Sequence, residues 1–464
     1  MILILTAICG EISAQQDVVQ GASDLSKYIL TPKAAPTPRI NGARIFGVRP
    51  GSEFLFTIAA TGIRPMIFSA EGLPRGLKLN PATGRITGRV KKTGEYTVRL
   101  SAENALGRYE RDLRIVVGDE IALTPPMGWN SWNCWARDVT QEQILSSARA
   151  MVEKGLADHG WSYINIDDGW QGRRGGRYNA IQPNKKFPDM AALTREIHDM
   201  GLRVGIYSTP WIGTYAAHIG SYSDRPDGEN EWIEKGLHNE NYRYQKPGGN
   251  YWEDRCEVWH HGPYSFVEAD VKQWAEWGID YLKYDWHPLN YYHVREMFDM
   301  LRKIDRDIIF SLSNSAPYGD APVWQRYANC WRTTDDIRDT WESISRIGFS
   351  QDRWLAFNHP GHWADSDMLV VGMVGWGPKL HPTKLTADEQ YTHISLWSLL
   401  ASPMLISCDI AQMDDFTMSL LTNDEVNDVN QDPLGIQAYP VWQENKQVIY
   451  AKHLEDGSMA IGFF

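Results

Sequence analysis

A lysine and an aspartate share one face of the short apolar stretch YLKYDW, residues 281–286. If this stretch is a strand, Lys283 and Asp285 point to the same side, because side chains two residues apart in a strand share a face. A charged group that is buried without a partner costs several kcal/mol. The pair therefore predicts a polar pocket, in which Lys283 offsets the charge of Asp285 and donates to a substrate hydroxyl.

Carboxylates also occur at the ends of three other apolar stretches. Asp167 and Asp168 end YINIDD, Asp336 ends CWRTTDD, and Asp367 lies within HWADSDML. Two carboxylates that face each other across a pocket are the groups that cleave glycosidic bonds. A structural ion-pair network is the alternative for any one aspartate, but it does not explain carboxylates on four separate strands.

Alternation along WRTTDD separates two adjacent aspartates. In a strand, Arg332, Thr334 and Asp336 share one face, and Asp335 points to the other. If Arg332 enters the pocket, Asp336 enters with it. Asp285 and Asp336 are therefore the predicted catalytic pair.

Short apolar strands alternate with helical stretches eight times after residue 124, which predicts a (β/α)8 barrel. A doubly wound sheet is the alternative, but no glycine-rich phosphate-binding motif follows the first strand. Active sites in the barrel fold lie at the carboxyl ends of the strands, where these polar residues occur. The predicted strands are 127–132, 163–168, 203–208, 281–286, 308–314, 330–336, 362–369 and 403–409.

Two β-rich regions flank the predicted barrel. Short alternating runs separated by turn signals such as PATG and KKTG predict a β-sandwich before it, and this region resembles immunoglobulin-like modules. We expect this module to be a spacer or a packing domain. The chain stops at Phe464 in mid-strand, so an incomplete antiparallel β domain is expected after the barrel. The predicted divisions are a signal peptide at 1–14, a linker at 15–38, the immunoglobulin-like sandwich at 39–118, the barrel at 123–432 and the C-terminal β domain at 433–464.

Composition and the N-terminus narrow the function classes. The formal net charge is −12, from 46 Lys and Arg against 58 Asp and Glu, and no basic run suggests a nucleic-acid partner. The apolar run at residues 2–9, followed by a small-residue site ending at Ala14, is typical of a secretory signal peptide and predicts a secreted or periplasmic protein. No other apolar run is long enough to span a membrane.

Cysteine and histidine spacing argues against a metal enzyme. No C-x-x-C pair and no H-E-x-x-H motif is present, and no G-x-S-x-G motif suggests a serine hydrolase. Export would permit disulfide bonds, but the spacing does not specify a pairing. The cysteines concerned are Cys134, Cys256, Cys330 and Cys408. The long segment 211–265, rich in Gly, Tyr and Trp, is predicted to be a functional loop.

Six motifs in order resemble glycoside hydrolase family 27, the α-galactosidase and α-N-acetylgalactosaminidase family. They are LTPPMGWNSWNCW, YINIDDGWQ, GLRVGIYS, YLKYDW, DSDMLVVG and VNQDPLG, and the resemblance covers about residues 123–464. It implies a retaining mechanism through a covalent glycosyl-enzyme, an oligo- or polysaccharide substrate, and neither a metal nor an organic cofactor.

The resemblance also implies a role for each site residue. By motif position Asp285 is the nucleophile and Asp336 the general acid/base. Asp167 and Asp168 would hold the 4- and 6-hydroxyls of the sugar. The remaining sugar contacts implied are Lys283, Arg332 and Asp367, with Trp129 and Tyr207 as pocket walls and Ser313 near the 2-position.

The fifth predicted strand, SLSNSAP at residues 311–317, departs from the α-galactosidase pattern. Family α-galactosidases carry a glutamate near the sugar 2-position, whereas Ser313 and Ala316 are the expected equivalents here. Their small size predicts space for a bulkier 2-substituent. The alternative is that Asn314 or the 211–265 loop supplies the contact to the 2-position that the glutamate makes in family α-galactosidases. The alternatives to an α-galactosidase are an α-N-acetylgalactosaminidase, a β-L-arabinopyranosidase, an isomalto-dextranase and a non-catalytic sugar-binding protein.

Overall fold

A computed structural model of the protein describes residues 2–6, 25–229, 233, 258–377 and 379–464. Eight parallel strands form its central sheet, in the order β7-β6-β5-β4-β3-β2-β1-β8. A hydrogen bond from Leu369 N to Leu405 O (2.8 Å) joins the segment after β7 to β8 and closes the barrel. The strands are β1 Met127–Asn130, β2 Tyr163–Asn165, β3 Arg203–Ser208, β4 Tyr281–Asp285, β5 Ile309–Ser313, β6 Cys330–Arg332, β7 Trp363–Asp365 and β8 Met404–Ile406. The predicted (β/α)8 barrel is confirmed.

Several helices between the strands begin at a side chain that caps them. Thr140 and Gln143 form a capping box, in which Thr140 Oγ1 accepts from Gln143 N (3.3 Å) and Gln143 Oε1 accepts from Thr140 N (2.9 Å). Thr386 and Glu389 repeat this arrangement. The helices are Trp132–Trp135, Gln141–Glu153, Met190–Asp199, Val267–Trp277, Tyr291–Leu301, Ala321–Tyr327, Trp341–Gly348, Ala387–Leu399, Asp415–Leu421 and Asp424–Asn430.

A β-sandwich precedes the barrel, as predicted. One sheet contains Ile45–Val48, Gly107–Val117, Gly94–Asn104 and Ile67–Glu71, and the other contains Glu53–Thr57, Arg85–Arg89 and Leu77–Leu79. Alternate apolar residues of both sheets are fully buried between them, because one face of each strand points inward.

The sandwich docks on the amino-terminal end of the barrel strands, opposite the predicted site. Arg49 Nε lies 2.6 Å from Asp307 Oδ1, just before β5. Arg306 pairs with Asp280 (2.6 Å), just before β4, and with Glu53 of the sandwich. A cavity of about 740 Å³ lies in this interface, far from the candidate catalytic carboxylates. The sandwich is thus packed against the barrel rather than joined to it only as a spacer.

Three antiparallel strands follow the barrel, at Tyr439–Glu444, Gln447–His453 and Met459–Phe463, which confirms the predicted C-terminal β region. Ile2–Thr6 pairs in parallel with the last of them. No helix of the described residues is long and apolar enough to cross a membrane.

The described cysteines carry free, buried thiols, so no disulfide forms among them. They are Cys134, Cys330 and Cys408. Cys256 lies outside the described residues, as does much of the predicted functional loop at 211–265.

Candidate active site

Asp285 ends β4 with both carboxylate oxygens engaged. Tyr207, from the neighbouring strand β3, donates its hydroxyl to Oδ2 (3.1 Å), and Asn314, just after β5, donates its amide Nδ2 to Oδ1 (2.6 Å). The carboxylate itself is buried, and only 6% of the residue is exposed. Two donors from two strands therefore orient this group at the carboxyl end of the barrel.

Lys283 enters the same pocket, but its nearest carboxylate is not Asp285. Its Nζ lies 2.8 Å from Asp167 Oδ2, at the end of β2, and 5.6 Å from the centroid of the Tyr207 ring. Lys283 and Asp285 share a face of β4, as strand alternation requires. The closest ion pair therefore joins β4 to β2 across β3.

Asp168 is held by the segment that follows β3. Its Oδ1 accepts from Thr214 Oγ1 (2.8 Å), and its Oδ2 accepts from the backbone N of Ala216 (2.7 Å). These two contacts fix the orientation of the Asp168 carboxylate. Asp167 and Asp168 lie side by side, since Asp168 N donates to Asp167 Oδ1 (2.8 Å).

Arg332 links the carboxylates of two further strands. Its Nη2 lies 2.9 Å from Asp367 Oδ2 and 3.2 Å from Asp336 Oδ1. Arg332 and Asp367 are buried, whereas the Asp336 side chain is 56% exposed. Asp335 lies outside this group, 68% exposed and paired with Arg346 (2.9 Å). Asp336 is thus the aspartate that meets both the pocket and the solvent.

The two fifth-strand residues nearest Asp285 have different positions. Ser313 pairs with Asp285 in the strand register and is only 2% exposed. It lines a small cavity of about 20 Å³ in the barrel interior, together with Lys283 and Arg332. Asn314 adopts a φ of 70° and turns its side chain back to Asp285. The contact with Asp285 therefore comes from Asn314.

Trp129 is the predicted wall residue with no exposed surface. Its indole Nε1 donates to the carbonyl of Cys408 (2.7 Å), and 0% of the residue is exposed. Tyr207 is also buried (1% exposed) and meets the pocket through its hydroxyl. The wall role of Trp129 stays a prediction.

Burial and neighbouring charges give the two candidate catalytic carboxyls different pKa values. Burial raises the pKa of Asp285 to about 7, with Lys283 lowering it and the charge of Asp336 raising it further. Burial also acts to raise the pKa of Asp336, but the positive charges of Arg332, Lys283 and Arg338, with the hydrogen bond from Arg332, together outweigh it and hold that pKa below its usual value. Asp336 thus lies near enough to Asp285 for its charge to act on that carboxyl.

A buried ion pair supports the segment that holds Asp168. Arg174, on the hairpin formed by Gln171–Gly175 and Ala180–Pro183, contacts Asp270 Oδ1 at 2.7 Å, and both side chains are at most 2% exposed. Arg174 Nη2 also donates to the carbonyl of Gly220 (2.5 Å). The pair therefore anchors the segment whose Thr214 contacts Asp168.

Asp270→Ala should lower the free energy of unfolding by about 3–5 kcal/mol, because it leaves the Arg174 guanidinium buried and unpaired. Urea denaturation followed by tryptophan fluorescence measures this. Glu196→Ala, which breaks the exposed pair of Glu196 with Arg149, is the matched control and should cost little. Equal unfolding free energies for the two variants would contradict the anchoring role of Asp270.

Sequence reasoning missed Asn314 as the partner of Asp285 and missed the contacts of Thr214 and Ala216 with Asp168. Asparagine tolerates the left-handed backbone region, which is the only signal the sequence carries for Asn314. Among the described residues, no cluster of His, Cys, Asp and Glu forms a metal-binding arrangement.

The chain is similar to known proteins over most of its length. A family model described as Alpha galactosidase A matches residues 124–238 and 244–432, and an Ig domain model matches residues 37–118. Alpha-galactosidase 2 of Arabidopsis thaliana is 34% identical over 354 residues, which cover 75% of this chain and 77% of that protein.

Solved structures agree with these matches. The crystal structure of a Bacteroides fragilis protein assigned as an alpha-galactosidase/melibiase has 35% identity and a TM-score of 0.79, and the match covers 95% of this chain and 88% of that one. A GH27 β-L-arabinopyranosidase from Geobacillus stearothermophilus has 26% identity and a TM-score of 0.59, with 74% and 84% covered.

Proposed function

Since the chain belongs to the alpha-galactosidase family, glycoside hydrolase family 27, we propose that it removes terminal α-galactosyl residues with Asp285 as nucleophile and Asp336 as general acid/base. As a member of this family it is a glycoside hydrolase. The observation that carries the assignment is the Asp285 carboxylate, oriented by Tyr207 and Asn314 in a pocket shared with Asp336.

Two displacements at the anomeric carbon give retention. In the first, an oxygen of Asp285 bonds to C1 while the glycosidic C–O bond breaks, and Asp336 gives its proton to the departing oxygen. In the second, Asp336 takes a proton from water, the water oxygen bonds to C1, and the ester to Asp285 breaks. Retaining geometry places the carboxyls about 5–5.5 Å apart, and this separation stays a prediction here.

Catalysis needs Asp285 ionised and Asp336 protonated, which is the reverse of the order of their pKa values. A bound sugar covers the half-exposed Asp336, and loss of water raises the pKa of a carboxyl. The hydroxyl of Tyr207 and the amide of Asn314 both donate to Asp285, and donors favour its charged form. We therefore expect substrate binding to raise the pKa of Asp336 and to favour the protonated form that a general acid needs.

Lys283→Met should move both limbs of the kcat/KM profile to higher pH. Because the pKa of Asp336 lies below that of Asp285 in the free protein, the acid limb follows Asp336 and the alkaline limb follows Asp285. Lys283 lowers both pKa values, so removal of its charge raises both. The measurement is a pH profile of kcat/KM with a nitrophenyl galactoside, with Arg346→Met as control at the exposed pair with Asp335. An unmoved limb, or one moved to lower pH, contradicts the assignment.

Substrate class is tested with nitrophenyl glycosides of α-galactose, α-N-acetylgalactosamine and β-L-arabinopyranose. The highest kcat/KM is expected on the α-galactoside, and proton NMR should show α-galactose as the first product. If the protein binds these sugars but hydrolyses none of them, the sugar-binding alternative replaces the enzyme assignment.

We also propose export through the apolar segment at residues 2–9, with cleavage after Ala14. This rests on its sequence pattern, a short apolar run followed by a small-residue site. Cell fractionation followed by N-terminal sequencing tests it. Recovery of the intact chain, with Met1, from inside the cell contradicts export.

A further inference from the structure

The end of β5 departs from regular strand geometry next to the nucleophile. In a continuing strand, the residue after Ser313 would point away from the pocket, because successive side chains alternate. Instead Asn314 and Ser315 have φ values of 70° and 33°, and the Asn314 amide lies 2.6 Å from Asp285 Oδ1. The turn therefore brings Asn314 to the pocket side as well, next to Ser313.

Backbone contacts with the segment that continues β6 hold this turn in place. Ser315 N donates to Thr334 O (3.2 Å), and Ala316 N donates to Arg332 O (2.8 Å). Left-handed backbone costs energy for residues other than glycine, least for asparagine, and persists where surrounding contacts determine it. The Asn314 side chain is thus placed by the scaffold, and it is only partly buried.

The position of Asn314 relative to Asp285 determines which part of the sugar it meets. The nucleophile bonds to C1, so a group hydrogen-bonded to its carboxylate lies near C1 and its two ring neighbours, the ring oxygen and C2. Of these neighbours only C2 carries a hydroxyl that can donate a hydrogen bond. An asparagine amide donates through nitrogen and accepts through oxygen. Its nitrogen is directed to Asp285, which leaves the oxygen to accept from a hydroxyl at C2.

We propose that Asn314 is shared between the nucleophile and the sugar 2-hydroxyl, donating to Asp285 and accepting from that hydroxyl. This inference rests on the proposed function, because it takes Asp285 as the group that bonds to C1. The site thereby selects sugars with a free 2-hydroxyl. A 2-acetamido group would have to displace the Asn314 contact, so the space expected beside Ser313 does not serve the 2-position.

Paired substrates test the contact. The 4-nitrophenyl α-galactoside and its 2-deoxy analogue should differ in kcat/KM by roughly 10- to 100-fold in the wild type, since a site built to bond a hydroxyl rejects the analogue that lacks it. Asn314→Ala should reduce this ratio to within a few-fold and move the alkaline limb of kcat/KM, which follows Asp285, to higher pH, because Asp285 loses a donor. Ser313→Ala, at the neighbouring buried residue, should keep the ratio.

Asn314→Asp separates the two proposed roles of Asn314, which are donor to Asp285 and acceptor from the sugar 2-hydroxyl. It keeps an acceptor for the 2-hydroxyl but replaces the donor with a negative charge beside Asp285. We therefore expect the ratio to persist while the alkaline limb moves further to higher pH than in Asn314→Ala. A structural role alone would lower activity on both substrates equally and leave the ratio unchanged.

The binding constants of galactose and 2-deoxygalactose, measured by calorimetry, test the role of Asn314 independently of turnover. If the wild type shows no turnover, the proposed function fails, and the two binding constants still decide the role of Asn314. A wild-type preference for galactose that Asn314→Ala abolishes supports the contact. An Asn314→Ala variant that keeps the wild-type ratio, in turnover or in binding, overturns it, as does loss of the ratio in Ser313→Ala.

Discussion

Asp285→Ala should reduce turnover of α-galactosides by on the order of 10⁴-fold or more, since it removes the group that forms the covalent intermediate. Azide should partly restore activity, because it fits the space left by the carboxylate and bonds to C1 from the same side. The product should then be β-galactosyl azide, with the leaving group departing from the opposite face. Mass spectrometry and proton NMR identify it.

Asp335→Ala is the matched control for the loss of an aspartate. Its carboxylate is 68% exposed and pairs with Arg346 outside the pocket, so its removal should change kcat/KM only a few-fold. Near-normal activity of Asp285→Ala, or an azide product of α configuration from that variant, would place the nucleophile elsewhere.

Asp336→Ala should produce a loss that depends on the leaving group. Disaccharide substrates need protonation of the departing oxygen, so their kcat/KM should fall by about 10²- to 10⁴-fold. A dinitrophenyl galactoside departs without a proton, so formation of the glycosyl-enzyme should change little and its hydrolysis should become rate-limiting. Steady-state rates with both substrates, and the burst of released dinitrophenol, measure this.

Azide also identifies the role of Asp336. In Asp336→Ala it should intercept the glycosyl-enzyme on the face that Asp336 occupied and yield α-galactosyl azide, the opposite anomer from Asp285→Ala. This contrast decides between the two role assignments, independently of the order of the two pKa values. The same azide anomer from both variants would contradict the assignment.

Local sequence patterns were sufficient to predict the architecture. Alternating strand and helix patterns predicted the barrel, and all eight predicted strands contain an observed one. Two-residue periodicity also predicted that Lys283 shares a face with Asp285. These inferences hold because the side-chain direction in a regular strand depends only on the strand itself.

Motif resemblance named the catalytic candidates, but the tertiary structure decided what holds them. The partner of Lys283 is Asp167, on a strand 116 residues earlier in the chain. Thr214 reaches Asp168 from the segment after β3, and that segment depends on the buried ion pair of Arg174 and Asp270. No local pattern specifies such contacts, because they exist only once the closed barrel brings distant strand ends together.

By itself, the sequence determined the barrel, its flanking β regions and the carboxylates available for glycoside chemistry. Only the tertiary structure decided which fifth-strand residue meets the nucleophile. Alternation placed Ser313 in the pocket, whereas contacts with the segment after β6 turn the backbone at Asn314 into the left-handed region and bring its amide to Asp285. The physical reason is that asparagine enters this region at a modest cost, so a few long-range hydrogen bonds override the local strand pattern.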